Sequence, residues 1–135
     1  MIKEYKGDYN KSEFYSLMGK FFAEPLYKKE LPYLTNRGNT VWHIKIENNS
    51  VTAFSGYEET KNKIDFKTDY YIKNIDDLEA ILKYKLEILK DCKKEITTTV
   101  SNKEIINLFL KYGFKKIRKT TNYTTLIKEY DENAK

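Results

Sequence analysis

The chain has 135 residues, 40% hydrophobic and 33% charged, with 25 Lys and Arg against 20 Asp and Glu for a formal charge of +5. That length suits one domain, and 12 Tyr with 7 Phe supply enough apolar surface to exclude a disordered chain. One cysteine, Cys92, excludes an internal disulfide, one histidine, His43, leaves too few ligands for a closed zinc site, and no apolar run approaches the roughly 20 residues that cross a bilayer.

The opening MIKEYKGDYN carries no signal-peptide core, so a cytoplasmic protein is expected. A short strand is expected at Ile2 to Tyr5. From Lys11 to Phe22, Phe14, Leu17, Met18, Phe21 and Phe22 fall at helical three-and-four spacing, with Asn10 or Ser12 as the cap. Pro25 opens a second short helix that Pro32 ends or kinks, because proline lacks the N–H and clashes with the preceding turn. Asn36 to Asn39, NRGN, is a turn. Thr40 to Glu47 alternates, with Trp42, Ile44 and Ile46 on one face and Val41, His43, Lys45 and Glu47 on the other. Trp42 reads as core and His43 as structural or exposed. Asn48 to Ser50 reverses the chain into Val51 to Glu58, and Ile64 to Ile72 gives a third antiparallel strand.

Asn74 caps a long helix to Cys92, whose Leu78, Ile81, Leu82, Leu86 and Leu89 form an apolar face. KEITTTV, Lys94 to Val100, has the β-branched composition of a strand. Asn102 to Phe114, NKEIINLFLKYGF, reads as a short amphipathic helix capped by Ser101 or Asn102 and closed by Gly113 in a left-handed cap. Strands at Lys115 to Lys119 and Tyr123 to Lys128 follow. The elements make a single domain over 1–130 with a polar tail at 131–135. The passage through Ile64, Leu82 and Thr98 is a parallel crossover in an otherwise antiparallel sheet.

The strand, the Asn-led helix and the Gly-Phe end resemble the C-terminal half of the GNAT superfamily of N-acyltransferases, whose pattern there is roughly N-x-x-A-x-x-[LYF]-Y-x-x-x-G-F. The element order resembles that family across nearly the whole chain. The resemblance implies an α/β (α+β) fold, a mixed, mostly antiparallel sheet of six to seven strands flanked by about four helices. It further implies acetyl-CoA or another acyl-CoA as cofactor and assigns Asn102 to the pantetheine arm, while the single Cys and His leave no metal expected.

The chain departs from the family pattern in two places. The loop [RQ]-x-x-G-x-[GA], whose amides cradle the diphosphate of acyl-CoA, corresponds to Tyr70 to Glu79, YYIKNIDDLE, and no glycine lies between Gly56 and Gly113. Asp76, Asp77 and Glu79 put carboxylates at that helix start, which the helix dipole favours and a diphosphate does not. The position of the acid that protonates the departing thiolate falls on Phe109, which has no proton to give. Tyr112, three residues on, sits about 60 degrees away around the helix axis.

Glu58, Asp65 and Asp69, on or near the central strands, are candidates for the general base of an amine acyltransfer, against the ordinary expectation of solvated carboxylates. Lys111, Lys115, Lys116, Arg118 and Lys119, interleaved with Tyr112, Phe114 and Tyr123, are candidates for binding a phosphate backbone, against the ordinary role of lysines that guard an edge strand. Cys92 reads as a plain free thiol. Three functions therefore stand side by side. One is a divergent N-acyltransferase. A second is a non-catalytic or inhibitory module engaging a protein or a nucleic acid. The third is a base-modifying enzyme of the kind found in phage DNA modification. None needs a membrane, and none fixes an oligomeric state.

Overall fold

A computed structural model describes residues 1–130, so the polar tail at 131–135 lies outside the described residues. The elements are β1 (Ile2–Tyr5), α1 (Lys11–Ala23), α2 (Pro25–Glu30), β2 (Thr40–Glu47), β3 (Ser50–Glu59), β4 (Lys63–Tyr71), α3 (Ile75–Ile88), β5 (Glu95–Val100), α4 (Lys103–Lys111), β6 (Lys115–Lys119) and β7 (Thr124–Lys128). They form one seven-stranded sheet in the order β1-β2-β3-β4-β5-β7-β6. Every neighbouring pair is antiparallel except β4 with β5, which α3 joins by a parallel crossover. This is the mixed, mostly antiparallel sheet and four helices expected from the sequence.

Local chemistry sets the element ends. The Asn10 side chain accepts from the Glu13 amide at 3.0 Å, Asn74 from Asp76 at 2.9 Å, and Asn102 from Glu104 and Ile105 at 2.8 and 3.1 Å. Each cap answers an amide left without a partner in the first turn. Asn48 and Asn49 both take positive φ, as a tight two-residue hairpin turn requires. Gly113, at φ +91°, ends α4 in the left-handed region open to glycine. Helix α3 stops at Ile88 rather than at Cys92, the expected end. The Leu89 amide bonds Lys85 O, and those of Lys90 and Cys92 reach back only three residues, to Glu87 and Leu89. The last stretch therefore unwinds into tight turns.

Both faces of the sheet are covered. Phe14, Met18 and Phe21 of α1 pack on Tyr5, Trp42, Ile44 and Phe54. On the opposite face Leu78, Ile81 and Leu82 of α3 and Ile105, Leu108 and Phe109 of α4 pack on Val41, Tyr57, Ile64, Phe66 and Leu126. Trp42 is fully buried, its indole N–H donates to Asn36 Oδ1 at 3.0 Å, and a Cβ added at Gly56 would come within 3.1 Å of its ring. A side chain there would crowd the indole, which would have to shift by a few tenths of an ångström to admit it.

Candidate functional site

The parallel ladder between β4 and β5 runs from Lys63 opposite Glu95 to Phe66 opposite Thr98 and ends there. Beyond that point the facing edges of the two strands have no strand between them, so their amides and carbonyls border a gap. A cleft of about 370 Å³ occupies it, lined by Thr68, Asp69, Tyr70, Thr99, Asn102 and Tyr123 among others. A second, of about 590 Å³, shares Tyr33, Thr68, Thr99 and Tyr123 and extends to Arg37, Asp65 and Lys67. The Tyr33 and Tyr123 rings meet edge to face with centroids 6.0 Å apart, and burial with the nearby Tyr33 pushes the Tyr123 phenol upward.

A bulge in β4 shapes the opening. Phe54 pairs with Tyr70 and Gly56 with Lys67, so Ser55 alone faces both Thr68 and Asp69. Thr68 adopts φ +54°, a conformation costly for a β-branched residue. The extra residue reverses the alternation of the strand. Ile64 and Phe66 join the core under α3 and α4, yet beyond the bulge it is Tyr71 that joins them, while Tyr70 joins the core under α1. Asp69 is thereby turned toward the α3 side, the re-aiming of a side chain that bulges accomplish.

There Asp69 meets a buried lysine that the sequence reading missed. The Lys85 Nζ donates to Ser55 Oγ at 2.5 Å, and Ser55 Oγ donates to Asp69 Oδ1 at 2.5 Å. Lys85 Nζ lies 3.8 Å from Asp69 Oδ1 and 3.5 Å from the centre of the Phe66 ring. Thr98 Oγ1 donates to Asp69 Oδ2 at 3.5 Å, so the carboxylate spans the point at which β4 and β5 part. The Lys85 side chain is 1% exposed and that of Asp69 5%. Burial pushes the Lys85 ammonium down to about 8, partly opposed by the attraction of Asp69, as expected for a cation taken out of water. The available signal was spacing: Lys85 follows Ile81 by four residues and Leu82 by three, on the same helical stripe as Leu78 and Leu89.

The structure sorts the other candidates. Glu58 and Asp69 are not the solvated carboxylates expected from composition, since both lie within the packed sheet. Glu58 Oε2 accepts from Thr40 Oγ1 at 2.9 Å, and Lys67 lies 3.7 Å from Glu58 and 3.6 Å from Asp65, with Arg37 4.0 Å from Glu58. Asp65 therefore lines the second cleft among cations, while Asp69 and Asn102 share the first. Asn102 commits its Oδ1 to capping α4, which leaves its Nδ2 as the remaining donor. Tyr112 lines neither cleft. It donates to Glu79 at 2.6 Å, and burial together with that bond pushes its phenol up to about 12. Phe109 is buried against Phe66 and Phe114.

At the start of α3, Asp77 pairs with Lys45 at 2.7 Å and Asp76 is exposed. Of the basic series, Lys111 pairs with Glu79 at 2.9 Å and Lys115 with Glu129 at 3.9 Å. Lys116, Arg118 and Lys119 are exposed on the edge strand β6. His43 is buried under α3, with Nε2 3.0 Å from Glu4 Oε2 and Nδ1 without a hydrogen-bond partner. Burial, above all, pushes it down to about 4, and the Lys85 charge acts in the same direction. Among the described residues no cluster of three His, Cys, Asp or Glu could hold a metal ion, and no helix is long and apolar enough to cross a membrane.

No family model matches the chain, and no curated protein matches it by sequence. Solved structures do. It is similar to ElaA of Escherichia coli at TM-score 0.76 and 11% identity, covering 96% of this chain and 99% of that one. It is also similar to an acyl-CoA N-acyltransferase from Pseudomonas aeruginosa at TM-score 0.73 and 10% identity, over 95% and 99%. A third is the N-acetyltransferase PseH of Campylobacter jejuni in complex with acetyl coenzyme A, at TM-score 0.62 and 12% identity, over 97% and 100%. The chain has the GNAT fold.

Proposed function

We propose that the chain is a divergent acyl-CoA-dependent N-acyltransferase acting on a primary amine. The observation that carries this reading is the opening at the end of the β4–β5 ladder, where two unpaired strand edges meet a buried carboxylate. Amides along such an edge suit the carbonyls and N–H groups of a pantetheine arm, in the manner of an added strand. A strand N–H aimed into the gap is also the kind of fixed donor that stabilises negative charge developing on a thioester oxygen. Bound acyl-CoA would supply the activated acyl carbon. The chain's own residues would then orient the acceptor beneath Tyr33 and Tyr123, with Asn102 Nδ2 as a donor and Asp69 to take the proton from the amine.

Titration calorimetry with acetyl-CoA tests the reading. Binding is expected, and at roughly 100 times its dissociation constant acetyl-CoA should stabilise the fold by about 2.7 kcal/mol, which for a domain of this size raises the melting temperature by about 10 °C. No heat and no shift would remove the proposal.

A second reading, a non-catalytic relative that engages a protein or nucleic acid, is favoured by two observations. Carboxylates occupy the first turn of α3, and buried Phe109 stands where the family has an acid. Its nucleic-acid form would place Lys116, Arg118 and Lys119 of β6 on phosphates. That form calls for random nucleic acid to bind with an affinity falling steeply as salt rises, in a protein that ignores acetyl-CoA.

A further inference from the structure

The acyltransfer reading needs a destination for the acceptor's proton, and the buried lysine of α3 offers one. We propose that Lys85, Ser55 and Asp69 form a proton relay in which Asp69 takes the acceptor's proton at the cleft and Lys85 Nζ stores it beneath the sheet. This inference rests on the acyltransferase reading and adds two residues to it, neither of which lines the cleft.

The geometry is that of a wire. Nζ, Oγ and Oδ1 follow one another at 2.5 Å and 2.5 Å, Ser55 is fully buried, and Thr98 steadies the far oxygen of Asp69 at 3.5 Å. A lysine in this position calls for an explanation. An apolar side chain of similar volume would complete the Leu78, Ile81, Leu82 stripe without removing a charge from water, a replacement that is often neutral or stabilising in other proteins. The left-handed Thr68 that aims Asp69 at Ser55 is a second local cost at the same place, and strain of this sort gathers at functional sites.

The relay starts with Lys85 as the neutral amine and Ser55 donating to it. An acceptor ammonium passes one proton to Asp69. Asp69 hands a proton to Ser55 Oγ as the serine's own proton moves to Lys85 Nζ, leaving Asp69 ionised, Ser55 neutral and Lys85 an ammonium. The freed amine forms the C–N bond at the thioester carbonyl carbon while the C–S bond breaks and its electron pair goes to sulfur, which takes the second nitrogen proton through solvent. After product leaves, the same chain returns the stored proton to water. With an ammonium pushed down to about 8, Lys85 can accept and release a proton near neutral pH, where an ordinary lysine would stay charged.

The titratable groups on the strands beside Lys85 keep their charge state in that window. His43 of β2, held near 4, is already neutral. Tyr57 of β3 is raised by burial and stays protonated. Lys111 of α4 and Tyr112 just beyond its end are engaged with Glu79, on α3 but away from the wire.

Two measurements test the relay. The first follows the Lys85 side-chain signal by NMR of 13C-lysine-labelled full-length protein, assigned by its loss in Lys85→Met. A titration near pH 8 is expected, moving to lower pH in Asp69→Asn as the attracting charge is removed. A titration near 10.5, or one unmoved by Asp69→Asn, overturns the coupling. The second is the pH profile of acetyl transfer from acetyl-CoA to primary alkylamines that ionise well above pH 9. A rising limb near pH 8 is expected in wild type. Ser55→Ala and Lys85→Met should lower kcat about 100-fold and lose that limb, with KM for acetyl-CoA unchanged. A limb retained in both variants overturns the relay and leaves acyltransfer standing. No acetyl-CoA binding by wild type overturns acyltransfer and the relay's use together, even where Lys85 titrates as expected.

Discussion

The stability of wild type relative to Lys85→Met is expected to rise with pH between about 8 and 10.5, by up to about 3 kcal/mol. The sign follows from proton counting. Lys85 binds its proton with an ordinary value of 10.5 unfolded and about 8 folded, so between those values the unfolded chain holds the extra proton. Stability must then increase with pH. Below 8 both states are charged and the full cost of the buried ammonium is present, and above 10.5 both are neutral and the cost is gone. A gap of this size at 1.36 kcal/mol per pH unit gives the expected magnitude. Met also strips Asp69 of its counter-charge and Phe66 of its cation, which offsets the two curves vertically by a constant without creating the slope. Denaturant midpoints at a series of pH values check it, and the comparison with the variant cancels the tyrosines that titrate at the alkaline end. Parallel curves would show that Lys85 has its ordinary affinity for protons.

His43 gives the mirror image on the acid side. Its folded value is about 4 against 6.5 unfolded, so the unfolded state takes up the proton first as pH falls. Stability is expected to drop by up to about 3 kcal/mol between 6.5 and 4. The cause is burial of a ring that stacks on Tyr57 and meets the edge of Tyr84, with Glu4 alone offering a counter-charge. His43→Leu should remove most of this acid slope, because Glu4 lies at the sheet edge with its carboxylate open to water once the ring is gone. Lys85→Met should weaken the slope, since the lysine charge contributes to keeping the ring neutral, and the double variant measures how strongly the two sites interact. An acid slope equal in wild type and His43→Leu would assign acid unfolding to the carboxylates instead.

Most of the architecture was legible because each element carried its own signal. Three asparagines cap three helices, two prolines bracket the short second helix, and Asn48-Asn49 turns the hairpin. What escaped were features created only when elements meet. Thr68 is a good strand former by composition, so nothing local announces a bulge, and the one-residue shift that turns Asp69 to the α3 side appears only when β4 is laid against β3. Glu58 read as a surface acid because its partners Thr40, Arg37 and Lys67 come from other strands and a loop. Lys85 had a visible periodicity but the wrong chemistry for it, and a lysine on an apolar stripe is ordinarily read as a frayed edge. Such conflicts between pattern and residue type are where functional groups are expected.

Amide hydrogen exchange with and without acetyl-CoA tests the central claim most directly, because it asks whether the parted edges of β4 and β5 receive the ligand. The expected result is slowed exchange at residues 67–71 and 99–102, with β1 and β6 unchanged. Exchange unaltered across both edges in saturating acetyl-CoA, or protection confined to β6, would contradict it.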